Sequence, residues 1–414
     1  MKWLMCFLCI WSLGCKSDDL VEVASCNIVE VENESEYQVI WQKPLLVFGG
    51  DTLSSRSIDP IIYNDKIIHG SLPNIGQNSE TFYLRDAEDG TKEWEWNDDS
   101  FGQTPFTRAQ YIDTDNFVLS NGLGVYVIDI LTGQKKWNTS INNPRPRIDG
   151  FDNQIFYTSK SSSLNPDTCR LIYSDVNTSD WKTILTFSKQ DDGNYAPGIE
   201  PPISWQNDDN ETILFFQNRS YNFSIGDGKI DLYAYNLDQE LIEWQHLDVE
   251  ENGNSSIFKP ILYDDKVFFQ GAKSIFCYNI KSGDLLWKKT FGSDGLLTCN
   301  SVIAEDKIIL NGTLKHVYAL NLETGDLIWD NEDASSENSG NMVYYKDHVY
   351  FISEGNGKLY GVNTLNGETI LEMDSPNDTG SNGVGFKSGI VINPNLNYLY
   401  ASDNYFFMCI KLLD

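Results

Sequence analysis

Few side chains in this chain have the type and spacing that chemistry requires. The four histidines, His69, His246, His316 and His348, stand far apart. His69 and His348 fall in or beside apolar strand segments, His246 follows one and His316 precedes another, so each reads as scaffold. No Ser-His-Asp set, metal-ligand spacing, phosphate-cradling glycine loop or Cys-x-x-Cys-His motif occurs. Acidic groups at Asp98-Asp99, Asp113-Thr114-Asp115, Asp191-Asp192 and Asp208-Asp209 offer the carboxylates that calcium takes as ligands. None has the Asp-x-Asp-x-Asp-Gly spacing of a calcium loop, and solvated acidic turns account for them. The expectation is therefore a chain with no catalytic, cofactor-binding or metal-binding residues.

Of the eight cysteines, one stands in a chemically informative place. Met1-Lys2 is followed by an apolar run over 3–13, then Gly14-Cys15 and the polar Lys16-Ser17-Asp18-Asp19. The run is too short to span a membrane and reads as a secretory signal. Ser12-Leu13-Gly14-Cys15 resembles the bacterial lipoprotein cleavage box, which implies a signal peptide over 1–14, lipid attachment at Cys15 and a flexible tether over 15–35. Lys16-Ser17-Asp18-Asp19 is similar to the acidic signal that sends some lipoproteins to the surface of Gram-negative bacteria. Beyond Cys15, Cys26, Cys169, Cys277, Cys299 and Cys409 form an odd, scattered set and no disulfide framework. Sixty acidic against 30 basic side chains leave a formal charge of −30, which repels a phosphate backbone and excludes nucleic acid as a partner.

The elements that carry these residues are strands. After Asp19 helical periodicity is hard to find, and short alternating apolar runs are separated by Asp, Asn, Gly and Ser. The runs repeat about every 43 residues. The clearest copy is Val317-Tyr318-Ala319-Leu320-Asn321-Leu322-Glu323-Thr324-Gly325-Asp326-Leu327-Ile328-Trp329: an aromatic, a small residue two before Asp or Asn, a turn with Gly, and a Trp eight after the Asp or Asn. Asp86 with Gly90 and Trp94, Asp129 with Gly133 and Trp137, and Asn279 with Gly283 and Trp287 repeat it. Asn236 keeps Trp244 but has Gln239-Glu240 at the turn, and Asn363 keeps Gly367 with Leu371 in the tryptophan slot. Asp175 with Thr178-Ser179 is degenerate, its Trp181 out of place, and a last copy at Met408-Cys409-Ile410-Lys411 is cut short. Cys277 and Cys409 take the small-residue position of Ala234, Ala319 and Gly361 and read as buried apolar residues. Upstream turns such as Asp265-Lys266 and Asp306-Lys307 complete a unit of four antiparallel strands, one propeller blade.

The repeat resembles the quinoprotein-type (PQQ-like) propeller family, whose consensus runs Tyr-Ala-Leu-Asp, two residues, Thr-Gly, three residues, Trp. The resemblance covers 36–414 and implies an all-β fold, an eight-bladed β-propeller of four-stranded blades. The eighth copy lacks an outer strand, and Glu36-Tyr37-Gln38-Val39-Ile40-Trp41-Gln42-Lys43-Pro44 has the look of one. Pairing of this segment with the C-terminal blade is expected to close the ring, with Trp41 in the empty slot. The family holds quinone-dependent dehydrogenases and non-enzymatic envelope proteins such as the propeller lipoprotein of the outer-membrane β-barrel assembly machinery.

The sequence favours the second class. The dehydrogenases are longer, carry calcium-binding insertions and often an adjacent cysteine pair, and no such pair occurs here. The expectation is a monomeric, non-catalytic, lipid-anchored outer-membrane scaffold that binds a protein or a surface glycan through its loops. The alternatives are a PQQ-dependent dehydrogenase or an outer-membrane protein assembly factor. Specificity is expected in the long irregular stretches 49–56, 72–80, 160–168 and 189–229, the last containing Trp205 and holding some strand as well.

Overall fold

The computed structural model describes residues 37–412 apart from 46, 49–50, 53–55, 73–80, 98–107, 114, 122–123, 141–147, 152, 162–165, 191–193, 200–201, 251–258, 293–300, 313–315, 335–340, 354 and 381–382. The segments 1–14 and 15–35, expected as signal peptide and tether, with Cys15 and Cys26, and also Cys299, Asp98-Asp99 and Asp191-Asp192, lie outside the described residues.

Blade 5 shows how the repeat works. Ile261–Tyr263, Lys266–Gln270, Ser274–Asn279 and Leu285–Thr290 pair in chain order, every pair antiparallel. The two middle strands are buried almost throughout, which is why they read as near-continuous apolar runs rather than as alternation. Between the first two strands, Asp264 takes a φ of 54°, as a tight hairpin turn demands. Between the last two, Asn279 Oδ1 accepts the backbone N–H groups of Lys281 and Ser282, and Gly283 N–H returns to the Asn279 carbonyl. That double acceptance is why the repeat places Asp or Asn there.

Eight such sheets are present among the described residues. They run from Arg56 to Asn97, Arg108 to Ser140, Ile148 to Ser188, Ala196 to His246, Ile261 to Thr290, Val302 to Asn331, Val343 to Met373 and Phe386 to Leu412. A two-stranded ribbon, Val47–Phe48 with Asp51–Thr52, accompanies them. The outermost strand of blade 8 is Tyr37–Pro44, which pairs antiparallel with Phe406–Leu412 from Tyr37↔Leu412 to Pro44↔Phe406.

The apolar interior is divided into eight clusters, each shared by two neighbouring blades. One joins blades 1 and 2 through Phe82, Trp96, Phe117 and Tyr126, and another joins blades 8 and 1 through Trp41, Ile67, Ala87, Tyr400 and Phe407. The tryptophan of one blade reaches the last turn of the next. Trp94, Trp137, Trp287 and Trp329 donate their Nε1–H to the carbonyls of Ile130, Val176, Leu322 and Thr364 at 2.7–3.0 Å, and Trp41 and Trp244 to Ala87 and Ile280 at 3.4 Å. The indole also lies on the turn glycine: a Cβ on Gly325, whose φ is +71°, would sit 2.6 Å from the Trp287 ring. Glycine is needed there both for its backbone conformation and for the space above it.

Blade 3 departs from the spacing. Its last turn is followed by a strand beginning at Trp181, and the position that pairs just before the bulge, a tryptophan in every other blade but the seventh, is Leu185 opposite Leu171. Trp181 is left exposed. The turn keeps its length, Ser179 standing four after Asp175 as Gly283 stands four after Asn279, but the bulge comes two pairs later along the strands, so fixed spacing could not locate the slot.

Candidate functional site

The histidines serve packing and polar contacts. His69 is fully buried between the Tyr83 and Phe407 rings, at centroid distances of 5.0 and 4.0 Å, and Arg85 Nε donates to its Nε2 at 3.0 Å. Burial, helped by the Arg85 charge, pushes its pKa well below the usual histidine range. His246 stacks on Tyr278 with Nε2 2.8 Å from the Gly283 carbonyl, and His348 lies edge-on to Tyr350. His316 stacks on Tyr318 with Nδ1 2.9 Å from Asp330 Oδ1. The thiols of Cys169, Cys277 and Cys409 are free and buried, and burial pushes Cys277 and Cys409 up to about 12, away from nucleophilic chemistry.

Among the acidic groups, Asp208 pairs with Lys281 Nζ at 2.6 Å, and Asp115 accepts the Tyr63 hydroxyl at 3.5 Å. Trp205 packs on Phe215 and lines a cleft of about 210 Å³ with Asp208, Asp209, Trp244 and Lys281. Asp149, on the innermost strand of blade 3, pairs with Lys259 Nζ at 3.1 Å, just ahead of the innermost strand of blade 5. Burial raises its pKa and the lysine opposes that rise.

The stretch 189–229, expected to hold some strand within a long insertion, contains three strands and the start of a fourth, and it makes blade 4 unlike its neighbours. Thr212–Asn222 has 11 residues and Asp227–Asn236 has 10, where blade 5 uses 5 and 6. Aligned on Asn236 and Asn279, Gln217 stands where Gln270 does. The hairpin therefore continues for five residues beyond the blade, about 17 Å at strand rise. Two short strands cover its inner edge: Ile203–Gln206 pairs with the blade body, and Ala196–Ile199 with the extension, Ile199 opposite Asn218 and Ala196 opposite Tyr221.

Hydrogen bonds hold this extension together with the buried Ile199 and Ile230. Asp231 accepts from Asn218 Nδ2 at 3.2 Å, Gln190 Nε2 at 3.4 Å and Asp248 N at 3.0 Å. Tyr195 donates its hydroxyl to Asp227 at 2.8 Å beneath the Lys229 ammonium. On the other face Arg219 lies over Tyr221, and Tyr221 meets Phe223 edge-on at 4.8 Å. The tip turns at Gly226 and leaves Phe223 and Ile225 54% and 69% exposed. Two large apolar side chains thus stand in water on a rigid, polar-bonded stem, an arrangement suited to docking.

The model of the family described as "Outer membrane protein assembly factor BamB" matches residues 31–171 and 223–412. The chain belongs to this family. Among solved structures, BamB from Moraxella catarrhalis is similar with a TM-score of 0.60 over 91% of this chain and 99% of that one, at 13% identity. The computationally designed Ika8 protein follows at 0.59, covering 86% and 97% at 12% identity. At these identities the likeness is one of fold. No curated protein matches the chain. Within this BamB-family propeller, residues 172–222 fall between the two matched stretches. They comprise the end of the third strand and the whole outer strand of blade 3, both inner strands of blade 4 and the first strand of its elongated hairpin.

Proposed function

We propose that this BamB-family propeller is a non-catalytic scaffold of the cell envelope, anchored through Cys15, that binds another protein with the blade 4 extension. The observation that carries the reading is the projecting hairpin, with Phe223 and Ile225 exposed on a stem fixed by Asp231, Tyr195 and the Arg219–Tyr221 contact. An exposed apolar pair at the end of a rigid element is the kind of anchor that dominates protein interfaces. The family's description as an assembly factor supports a protein partner, and the charge of −30 argues against an anionic polymer. The buried thiols and engaged histidines support a scaffold rather than a dehydrogenase.

A photo-crosslinking residue placed at Phe223 or at Ile225 in intact cells tests this. We expect a discrete protein adduct from both positions and none from Lys92, on the outer strand of blade 1. A chain that crosslinks no protein from the hairpin but binds purified surface polysaccharide would replace the protein partner with a glycan. Turnover of alcohols or sugars after titration with pyrroloquinoline quinone and calcium would replace the scaffold with an enzyme. For the anchor, Cys15→Ser is expected to abolish labelling by an acyl probe, and retained label would refute it.

A further inference from the structure

Blades 6 and 7 carry the same polar square on their two outer strands. In blade 7, Tyr360 pairs with Glu372 and Leu359 with Met373, which sets Lys358 and Asp374 at the next positions. Lys358 Nζ bridges the two carboxylates, 2.6 Å from Glu372 and 3.5 Å from Asp374. In blade 6, Tyr318 pairs with Asp330 and Val317 with Asn331, so His316 stands where Lys358 does and Glu332 where Asp374 does. The pair of carboxylates is kept, and the ammonium between them is replaced by an imidazole, the commonest side-chain ligand of metals.

The three side chains converge. One ring nitrogen of His316 and one oxygen each of Asp330 and Glu332 lie within 4.8 Å of one another. The imidazole is held nearly parallel to the Tyr318 ring, 4° apart with centroids at 5.3 Å. Asp330 and Glu332, with Asp333 and Glu368, also line a cleft of about 540 Å³ between the two blades. Among the described residues no lysine or arginine lies within ion-pair distance of any of these four carboxylates. Blade 7 brings its own cation to the square, whereas blade 6 offers ligands.

We propose that the rim of blade 6 binds a divalent transition-metal ion through His316, Asp330 and Glu332, the ion taking the place that the Lys358 ammonium holds in blade 7. A nitrogen with two carboxylates suits zinc and its neighbours, whereas calcium and magnesium take oxygen alone. Three protein ligands leave the fourth position of a zinc tetrahedron to water or to a group from outside the chain. The ion ties the approach to the third strand of blade 6 to the end of its outer strand.

Calorimetric titration of the full chain with zinc, in excess calcium to occupy weak carboxylate sites, tests the assignment. We expect one tight equivalent, weakened at least about tenfold in His316→Gln and in Glu332→Gln. Cobalt in place of zinc should give a visible d–d absorption that His316→Gln removes. His316→Lys, which installs the blade 7 arrangement, should abolish binding while melting at or above the metal-free parent. The proposal fails if the parent shows no tight equivalent, if His316→Gln binds zinc as well as the parent, or if calcium displaces the zinc. Melting of each variant without metal reports whether it has folded.

Discussion

The seams between blades are of two kinds. At six of them a tryptophan crosses to the next blade and bonds a carbonyl of its last turn, and at five of these the indole lies on the turn glycine, as Trp287 does with Leu322 and Gly325. At the seams from blade 3 to 4 and from blade 7 to 8, leucine takes the slot, Leu185 in one and Leu371 in the other. The seam from blade 3 to 4 compensates with aromatics: Phe187 meets Phe216 and Tyr233 edge-on at 6.2 and 5.3 Å. A latch of one indole, one glycine and one hydrogen bond is compact and fixes where the outer strand bulges. A cluster of side chains leaves room for the bulge to fall two pairs later, and the seam that uses a cluster is the one beside the elaborated blade. The ring thus keeps its repeat where it must be regular and gives it up where the chain carries something extra.

Removing a latch should have the largest effect. Trp41→Ala empties the slot at the seam from blade 8 to 1, where Tyr400 donates to the same Ala87 carbonyl as the indole, and should cost about 3–5 kcal/mol. Against a domain stability of roughly 5–15 kcal/mol this is a clear fall in melting temperature, with proteolysis opening the Phe406–Leu412 strand. A melt indistinguishable from the parent would show that the seam does not depend on this ring. Gly325→Ala attacks the seat instead of the ring. With φ at +71° and the Trp287 ring above, it should cost about 2–4 kcal/mol by chemical denaturation. Ser179, at the corresponding turn position of blade 3 with a φ of 63°, should accept alanine for less.

Trp287→Phe keeps most of the ring and loses the 3.0 Å bond to Leu322, and should cost about 1–2 kcal/mol. A loss as large as that of an alanine substitution would mean that the hydrogen bond, not the packing, closes the seam. The smallest effect is a pH dependence. His69 is held neutral in the fold while the unfolded histidine titrates near about 6.5. The unfolded chain therefore binds the extra proton, and the stability contribution is complete above that value and declines as pH falls below it. The decline approaches about 1.4 kcal/mol per pH unit. His69→Phe should flatten this limb between about pH 6.5 and 5.5, and an unchanged slope would assign it to another group.

What the sequence made legible follows from how local each signal is. Asp or Asn, Gly and Trp within nine residues encode a turn and a latch, and the spacing alone carries both. Leu185 was hidden because the bulge of blade 3 falls two pairs later than in its neighbours. The length and pairing of the blade 4 strands were hidden because Asn218, Ser220, Asn222 and Asp231 are buried polar residues. Their burial is supported by hydrogen bonds, so the segment has the composition of a loop and the pairing of a strand. His316, Asp330 and Glu332 could not be grouped from spacing either, since only the pairing of Tyr318 with Asp330 brings them to one face.

The pairing of Tyr37 with Leu412 also bears on how the chain reaches its fold. Contacts this distant in sequence raise the contact order and delay cooperative closure. A chain emerging from its N-terminus presents the Tyr37–Pro44 strand long before its partner exists. Until then that strand and the open edge of blade 1 are exposed together, a period in which strand edges invite misassembly. Blades 1 to 7 can assemble as neighbours in order of synthesis, whereas the last blade is completed only by a return to the first strand. A chaperone that shields the early strand, or synthesis fast enough to shorten the wait, would therefore influence yield without touching the stability of the finished ring.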